Sequence, residues 1–362
     1  FHPDVVVDAI LAKKNLGTRI TDAPFVIGVG PGFYAGKDCH CVIETKRGHT
    51  LGNVIWEKEA IPNTGVPGNI GGFTTERLIR ASADGIMEPV AEIGDTVEKG
   101  QLVARTGKQP VYAKMSGIVR GMLQKDVQVT EGLKIGDIDA RCEPEHCVTI
   151  SDKARAVGGG VLEAVSLFGQ IYGNYGVALL AAGEAKRFGS DKLSEKFQGI
   201  PLYRHALEKL EAFSGLSRVV VTAREALAEE AQRLGIHIVE NRQPEQGISH
   251  SVSLALQELL SQNPDLEGVL FLVCDQPGIQ AATIQKILNE GCLHKNSIVC
   301  AGYDGMRGNP VLWGSTYFQE LMHLTGDTGG RQLMKQYEEK IRIVECAPEE
   351  LKDIDRREDM TE

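Results

Sequence analysis

From Val177 onward, short apolar runs alternate with amphipathic ones, and this alternation constrains the fold more than any other feature of the chain. The runs at 177–180, 218–222, 236–239 and 268–273 are short and bounded by turn residues, as buried strands are. The stretches 202–213, 226–234 and 251–260 place apolar residues at helical spacing. Strand and helix in turn predict a parallel or mixed sheet covered on both faces, a three-layer α/β/α Rossmann-like domain.

In such sheets ligands gather outside the carboxyl ends of the strands. After the run at 177–180 come Leu180, Ala181, Ala182 and Gly183, then Arg187, Gly189 and Lys192. A strand entering a glycine loop with two cations suits an anion. Gly183 permits close backbone approach, Arg187 offers a flat fork to phosphate oxygens, and Lys192 offers a point charge. A polyphosphate is the expected guest; the competing reading is a plain turn with two solvated cations. The spacing matches neither the phosphate loop of common NTP hydrolases nor the G-x-G-x-x-G dinucleotide fingerprint.

The run at 268–273 ends in Cys274-Asp275-Gln276-Pro277. Asp275 is placed either to hold Mg²⁺ through a hard carboxylate oxygen or to cap the helix expected after Ala281. Gly247 and Ser251, around the loop 246–249, are expected to line the same nucleotide pocket. Asp327, among glycines, is either a second metal ligand or a turn residue.

Earlier segments are less uniform. Residues 3–9 read as a buried strand and those through Asn15 as helix, so the first part of an α/β unit is expected ahead of Phe1. The glycines at 28, 30, 32 and 36 fit a ligand loop or a tight turn equally. Cys39, His40 and Cys41 are consecutive on a strand, so their side chains alternate faces, which argues against a closed zinc site. A reactive thiol at Cys39 or Cys41 beside His40 is the chemical option left. From 83 to 139 short strands and turns echo each other in two halves, predicting a small duplicated β unit. Cys142 and Cys147 have no second pair at zinc spacing. A polar start at Ser151, a hinge at Gly158–Gly160 and an apolar helix follow. The expected division is 1–80, a partial α/β region; 81–168, the β-rich module and hinge; 169–176, a linker; and 177–362, the α/β/α domain.

A net charge of -10 argues against a general nucleic-acid partner, and no apolar run reaches the length of a membrane span. Eight cysteines with no C-x-x-C pair suit reduced thiols and a cytoplasmic location.

Residues 180–183, Arg187-Phe188-Gly189 and Lys192 resemble the signature of nucleotidyltransferases that act on molybdenum cofactor. Asp275-Gln276-Pro277, Gly308-Asn309-Pro310-Val311, Gly326-Asp327-Thr328-Gly329-Gly330-Arg331 and Asp353-Ile354-Asp355 resemble further runs of that family, with Arg356-Arg357 replacing its Thr-Pro. The resemblance implies Mg²⁺ at Asp275, a pterin contact near Asn309, and transfer of CMP from CTP to molybdopterin. CTP is favoured over GTP because Leu-Ala-Ala-Gly and Asp-Gln-Pro look like the cytidylyl branch. Residues 30–40, 42–49, 62–68, 134–139 and 151–160 resemble the accessory protein of selenium-dependent molybdenum hydroxylases, implying a hydroxylase apoenzyme as partner. Residues 93–101 resemble the turn of biotinyl and lipoyl domains, which implies a small β barrel-like module, though Lys108 lacks the neighbours of a modified lysine.

Overall fold

The computed structural model describes residues 3–65, 68–171, 173–183, 188, 191–327 and 329–361. They divide into two compact units in place of the expected boundaries. One joins Phe1–Thr45, Gly52–Ile61 and Gly159–Glu362; the other joins Lys46–Leu51 and Pro62–Gly158.

The larger unit is built on a seven-stranded sheet in the order His237–Glu240, Ser217–Thr222, Tyr175–Leu180, Gly268–Val273, Met306–Gly314, Ile298–Tyr303, Ile341–Glu345. All neighbours are parallel except Met306–Gly314, which runs against both of its own. The period of two along the strands separates two cores. Val177, Leu179, Val220, Leu270 and Leu272 pack with Leu207, Leu210, Ile284, Ile287 and Leu288, from the helices Leu202–Glu211 and Ala281–Leu293. Ala178, Val219, Val221, Val269 and Phe271 face the opposite way, onto Val252, Ala255, Leu256 and Leu259 of Ile248–Gln262. The chain from 175 onward is thus a mixed sheet between two helical layers.

The same unit holds a four-stranded sheet of Val5–Asp8, Phe25–Val29, Cys41–Ile43 and Val54–Ile55, the first three parallel. The first strand therefore has partners within the chain. The predicted helix through Asn15 is absent. Asp8 accepts hydrogen bonds from Ile10 N and Thr18 Oγ, and Asn15 Oδ1 from Gly17 N and Thr18 N, so local side-chain bonds hold turns where a helix was expected.

His40 is buried. Val26 N donates to its Nδ1 at 2.9 Å, so Nε2 carries the proton and donates to Ala212 O at 2.7 Å. Desolvation pushes its pKa down to about 4. Cys39 and Cys41 are also buried, and burial pushes Cys39 up to about 12. The reactive-thiol option fails here because an apolar interior disfavours the thiolate.

The glycines of the expected hinge lie inside a helix. The helix Asp152–Ile171 runs through Gly158–Gly160, and a Cβ on Gly160 would stand 2.0 Å from Gly52 O. Gly160 serves close packing of helix on backbone, not bending. The helix extends into the predicted linker, and a strand begins at Tyr175.

The smaller unit consists of two four-stranded antiparallel sheets. Gln109–Tyr112, Leu102–Thr106, Gly85–Pro89 and Gln128–Val129 form one; Leu78–Arg80, Lys134–Asp139, Gly117–Met122 and Thr96–Val97 form the other. Both contribute to one core containing Ile79, Met87, Val103, Val119 and Ile138. All eight cysteines are free thiols. Among the described residues no helix is long and apolar enough to cross a membrane.

Candidate active site

Leu180 and Val273 are register partners on adjacent parallel strands, so the chain leaves the sheet at two neighbouring points. A cleft of about 600 Å³ opens there, lined by Leu180, Ala181, Ala182, Gly183, Lys192, Gly247, Ser251, Asp275 and Asp327 among others. Nine of the residues singled out in the sequence thus meet in one place.

Lys192 opens a short 3₁₀ turn and is 8% exposed. A buried ammonium needs partners. Its Nζ donates to Asp275 Oδ2 at 2.9 Å and lies 3.7 Å from Asp355 Oδ1. Asp275 does not cap the following helix. Glu350 stands at that helix start, accepting hydrogen bonds from Gln280 N and Thr283 Oγ1.

Asp355 reaches the cleft because the segment before it is stitched to the Asp275 loop. Gln276 Nε2 donates to Asp353 Oδ1 at 2.8 Å, and Ile354 N donates to Asp275 O at 2.9 Å. Burial, with the charges of Asp275 and Asp355 adding to it, holds the Asp353 carboxyl above its usual range.

The far wall begins at Gly247, with φ +83° and a would-be Cβ 2.6 Å from Gly326 O, a place only glycine fills. Asp327 Oδ1 accepts a hydrogen bond from Ile248 N at the start of the next helix. It is engaged at a helix terminus. Ser251 is buried and accepts a hydrogen bond from Asn241 Nδ2. Asn309 lies on Met306–Gly314 and is not among the cleft's lining. Arg187 and Gly189 fall outside the described residues. Phe188 is buried on the cleft wall.

Two groups escaped sequence reasoning. The Asp353-Ile354-Asp355 run was visible but had no role without its 77-residue return to Gln276. Arg224, which bonds to Ala181 O, Gly183 O and Asp191, carried no local signal at all.

A glycine-edged cleft at the carboxyl ends of a mixed sheet, with one buried ammonium between carboxylates, defines an α/β domain of nucleotide-binding type. Residues 177–341 match the family model of the MobA-like NTP transferase domain, which the C-terminal half of this chain contains. The uncharacterized protein YqeB of Escherichia coli is 56% identical over 165 residues, which are 46% of this chain and 30% of that protein. The purine catabolism protein PucB of Bacillus subtilis is 28% identical over 168 residues, 43% of this chain and 78% of that one. A probable molybdenum cofactor guanylyltransferase of Thermococcus gammatolerans is 37% identical over 62 residues, 17% of this chain and 32% of that one. The chain thus spans about a third of the length of the first and the third of these. Among solved structures, Rv0371c of Mycobacterium tuberculosis aligns with a TM-score of 0.42 at 23% identity, covering 51% of this chain and 95% of that one.

Proposed function

We propose that this protein transfers a nucleoside monophosphate from an NTP to the terminal phosphate of molybdopterin and releases pyrophosphate. The observation that carries the reading is the meeting of Lys192 with Asp275 and Asp355 beside the Ala181–Gly183 loop. The acceptor phosphate attacks the α-phosphorus in line. The bond from that phosphorus to the β-bridging oxygen breaks, and its electron pair leaves with pyrophosphate. The attacking phosphate is already ionised, so no general base is required, and positioning with charge neutralisation supplies the acceleration. Lys192 neutralises the charge that develops on the departing phosphates, exchanging its carboxylate partners for phosphate oxygens. Arg187 is assigned the same task from the sequence. Gly183 and Gly247 leave room for the ligand's approach.

Among the described residues no group of three or more His, Cys, Asp or Glu side chains is arranged to hold a metal ion. Magnesium, however, commonly takes one or two carboxylates and completes its shell with water and substrate phosphates. Asp275 and Asp355, which flank the same ammonium, fit that requirement; Asp327, engaged with Ile248 N, fits it less well. Bound there, magnesium would supply further charge neutralisation at the phosphates.

The Leu-Ala-Ala-Gly and Asp-Gln-Pro runs favour CTP and a cytosine dinucleotide product. The guanylyltransferase names of three archaeal relatives favour GTP as the second reading. The region resembling a hydroxylase accessory protein, with its barrel-like module, supports delivery of the product to a selenium-dependent molybdenum hydroxylase in the cytoplasm. The test is pyrophosphate release with Mg²⁺ and molybdenum-loaded molybdopterin, comparing CTP, GTP and ATP. Release with CTP alone is expected. Release only with a sugar 1-phosphate would make the chain a sugar-nucleotide pyrophosphorylase, and no release with any nucleotide would favour a non-catalytic cofactor chaperone.

A further inference from the structure

Arg224 follows the strand Ser217–Thr222 and immediately precedes the helix Glu225–Arg233. Its guanidinium spends all three nitrogens on one loop. Nη1 donates to Ala181 O at 2.5 Å, Nη2 to Gly183 O at 3.1 Å, and Nε to Asp191 Oδ1 at 2.7 Å. Ala181 and Gly183 precede Arg187 in the sequence, and Asp191 follows it. Asp191 directly precedes Lys192, and its other oxygen accepts Ser194 Oγ at 2.5 Å. Arg224 is itself fixed, because its backbone N donates to Thr222 Oγ1 at 3.1 Å.

We propose that Arg224 is a positioning residue that sets the spacing between the glycine arm and Lys192, so that the cleft accepts a triphosphate. The proposal rests on the nucleotide-binding reading above and deepens it. A guanidinium is planar and rigid, so three acceptors held by it keep fixed mutual directions; a single ammonium on a flexible stem cannot span them. Its charge also offsets Asp191, which otherwise stands as an anion next to the lysine that must meet phosphate.

The test is equilibrium titration of the full chain with CTP, GTP and ATP in Mg²⁺, alongside KM for nucleotide and for pterin acceptor. Arg224→Ala is expected to weaken triphosphate binding by about 10- to 100-fold and to raise the nucleotide KM while leaving the acceptor KM near wild type. Arg224→Lys is expected to recover little. Asp191→Asn is expected to weaken binding in the same direction, and the Arg224→Ala/Asp191→Asn double variant to be no worse than Arg224→Ala. Thermal midpoints of all variants separate misfolding from misplacement, since a purely structural role would lower stability and move both KM values together. Nucleotide binding by Arg224→Ala equal to wild type, full recovery by Arg224→Lys, or additive losses would overturn the clamp and leave the nucleotide reading standing. No triphosphate binding by wild type would overturn that reading and the clamp with it.

Discussion

Lys192 Nζ lies 2.9 Å from Asp275 Oδ2, joining residues 83 positions apart at the mouths of two parallel strands. Asp275 caps no helix, and the buried ammonium of Lys192 is held between Asp275 and Asp355. Asp275→Ala and Lys192→Ala are each expected to slow pyrophosphate release by about 100-fold or more. Lys192→Ala further leaves Asp275, Asp353 and Asp355 without their shared cation. Asp353 already sits above its usual range, so protonation favours the folded state, and this contribution is lost as pH rises. The variant's stability deficit, read from thermal melts, should therefore be larger at neutral than at acid pH.

His40 gives a second pH dependence with the opposite sign. Its folded pKa of about 4 lies below the ordinary histidine value, so the unfolded chain binds the extra proton. Stability is complete above the unfolded value and declines as pH falls toward the folded one, by up to about 3 kcal/mol. Urea unfolding across that window measures the slope. His40→Phe should flatten it, and an unchanged slope would remove His40 as its source.

Glycines of one helix should respond in opposite directions. Gly158 is exposed with open space around its would-be Cβ, so Gly158→Ala should stabilise by about 0.5–1 kcal/mol. Gly160 faces Gly52 O, so Gly160→Ala should destabilise by about 1–3 kcal/mol. Denaturant midpoints of the two variants decide the point; loss of stability in both would restore a role for helix bending.

Thiol labelling tests the burial of the Cys39-His40-Cys41 run. Cys142 is exposed and should alkylate first in the native protein, whereas Cys39 and Cys41 should react only after unfolding. Peptide mapping after a brief maleimide pulse reads this directly. Early modification of Cys39 would contradict its burial.

The sheet after Tyr175 was legible because buried strands and amphipathic helices carry different apolar periods. That Gly183, Lys192 and Asp275 border one cleft was legible because the chain leaves such sheets at neighbouring strand ends. Residues 9–15 were misread because apolar spacing carries no record of Asp8 and Asn15 bonding to nearby backbone. The helical setting of Gly158–Gly160 was not legible, because a glycine that breaks a helix and one that serves close approach within it look alike in a sequence. Asp355 and Arg224 depend on contacts made across long separations, and no local pattern announces them.

The hydrogen bond from His40 to Ala212 spans 172 residues. Between them lies a segment whose apolar core draws its buried members from Ile79 to Ile138 alone. Loop-closure entropy grows with separation, so a segment that packs on a core of its own shortens the stretch of open chain that the contact between His40 and Ala212 must close.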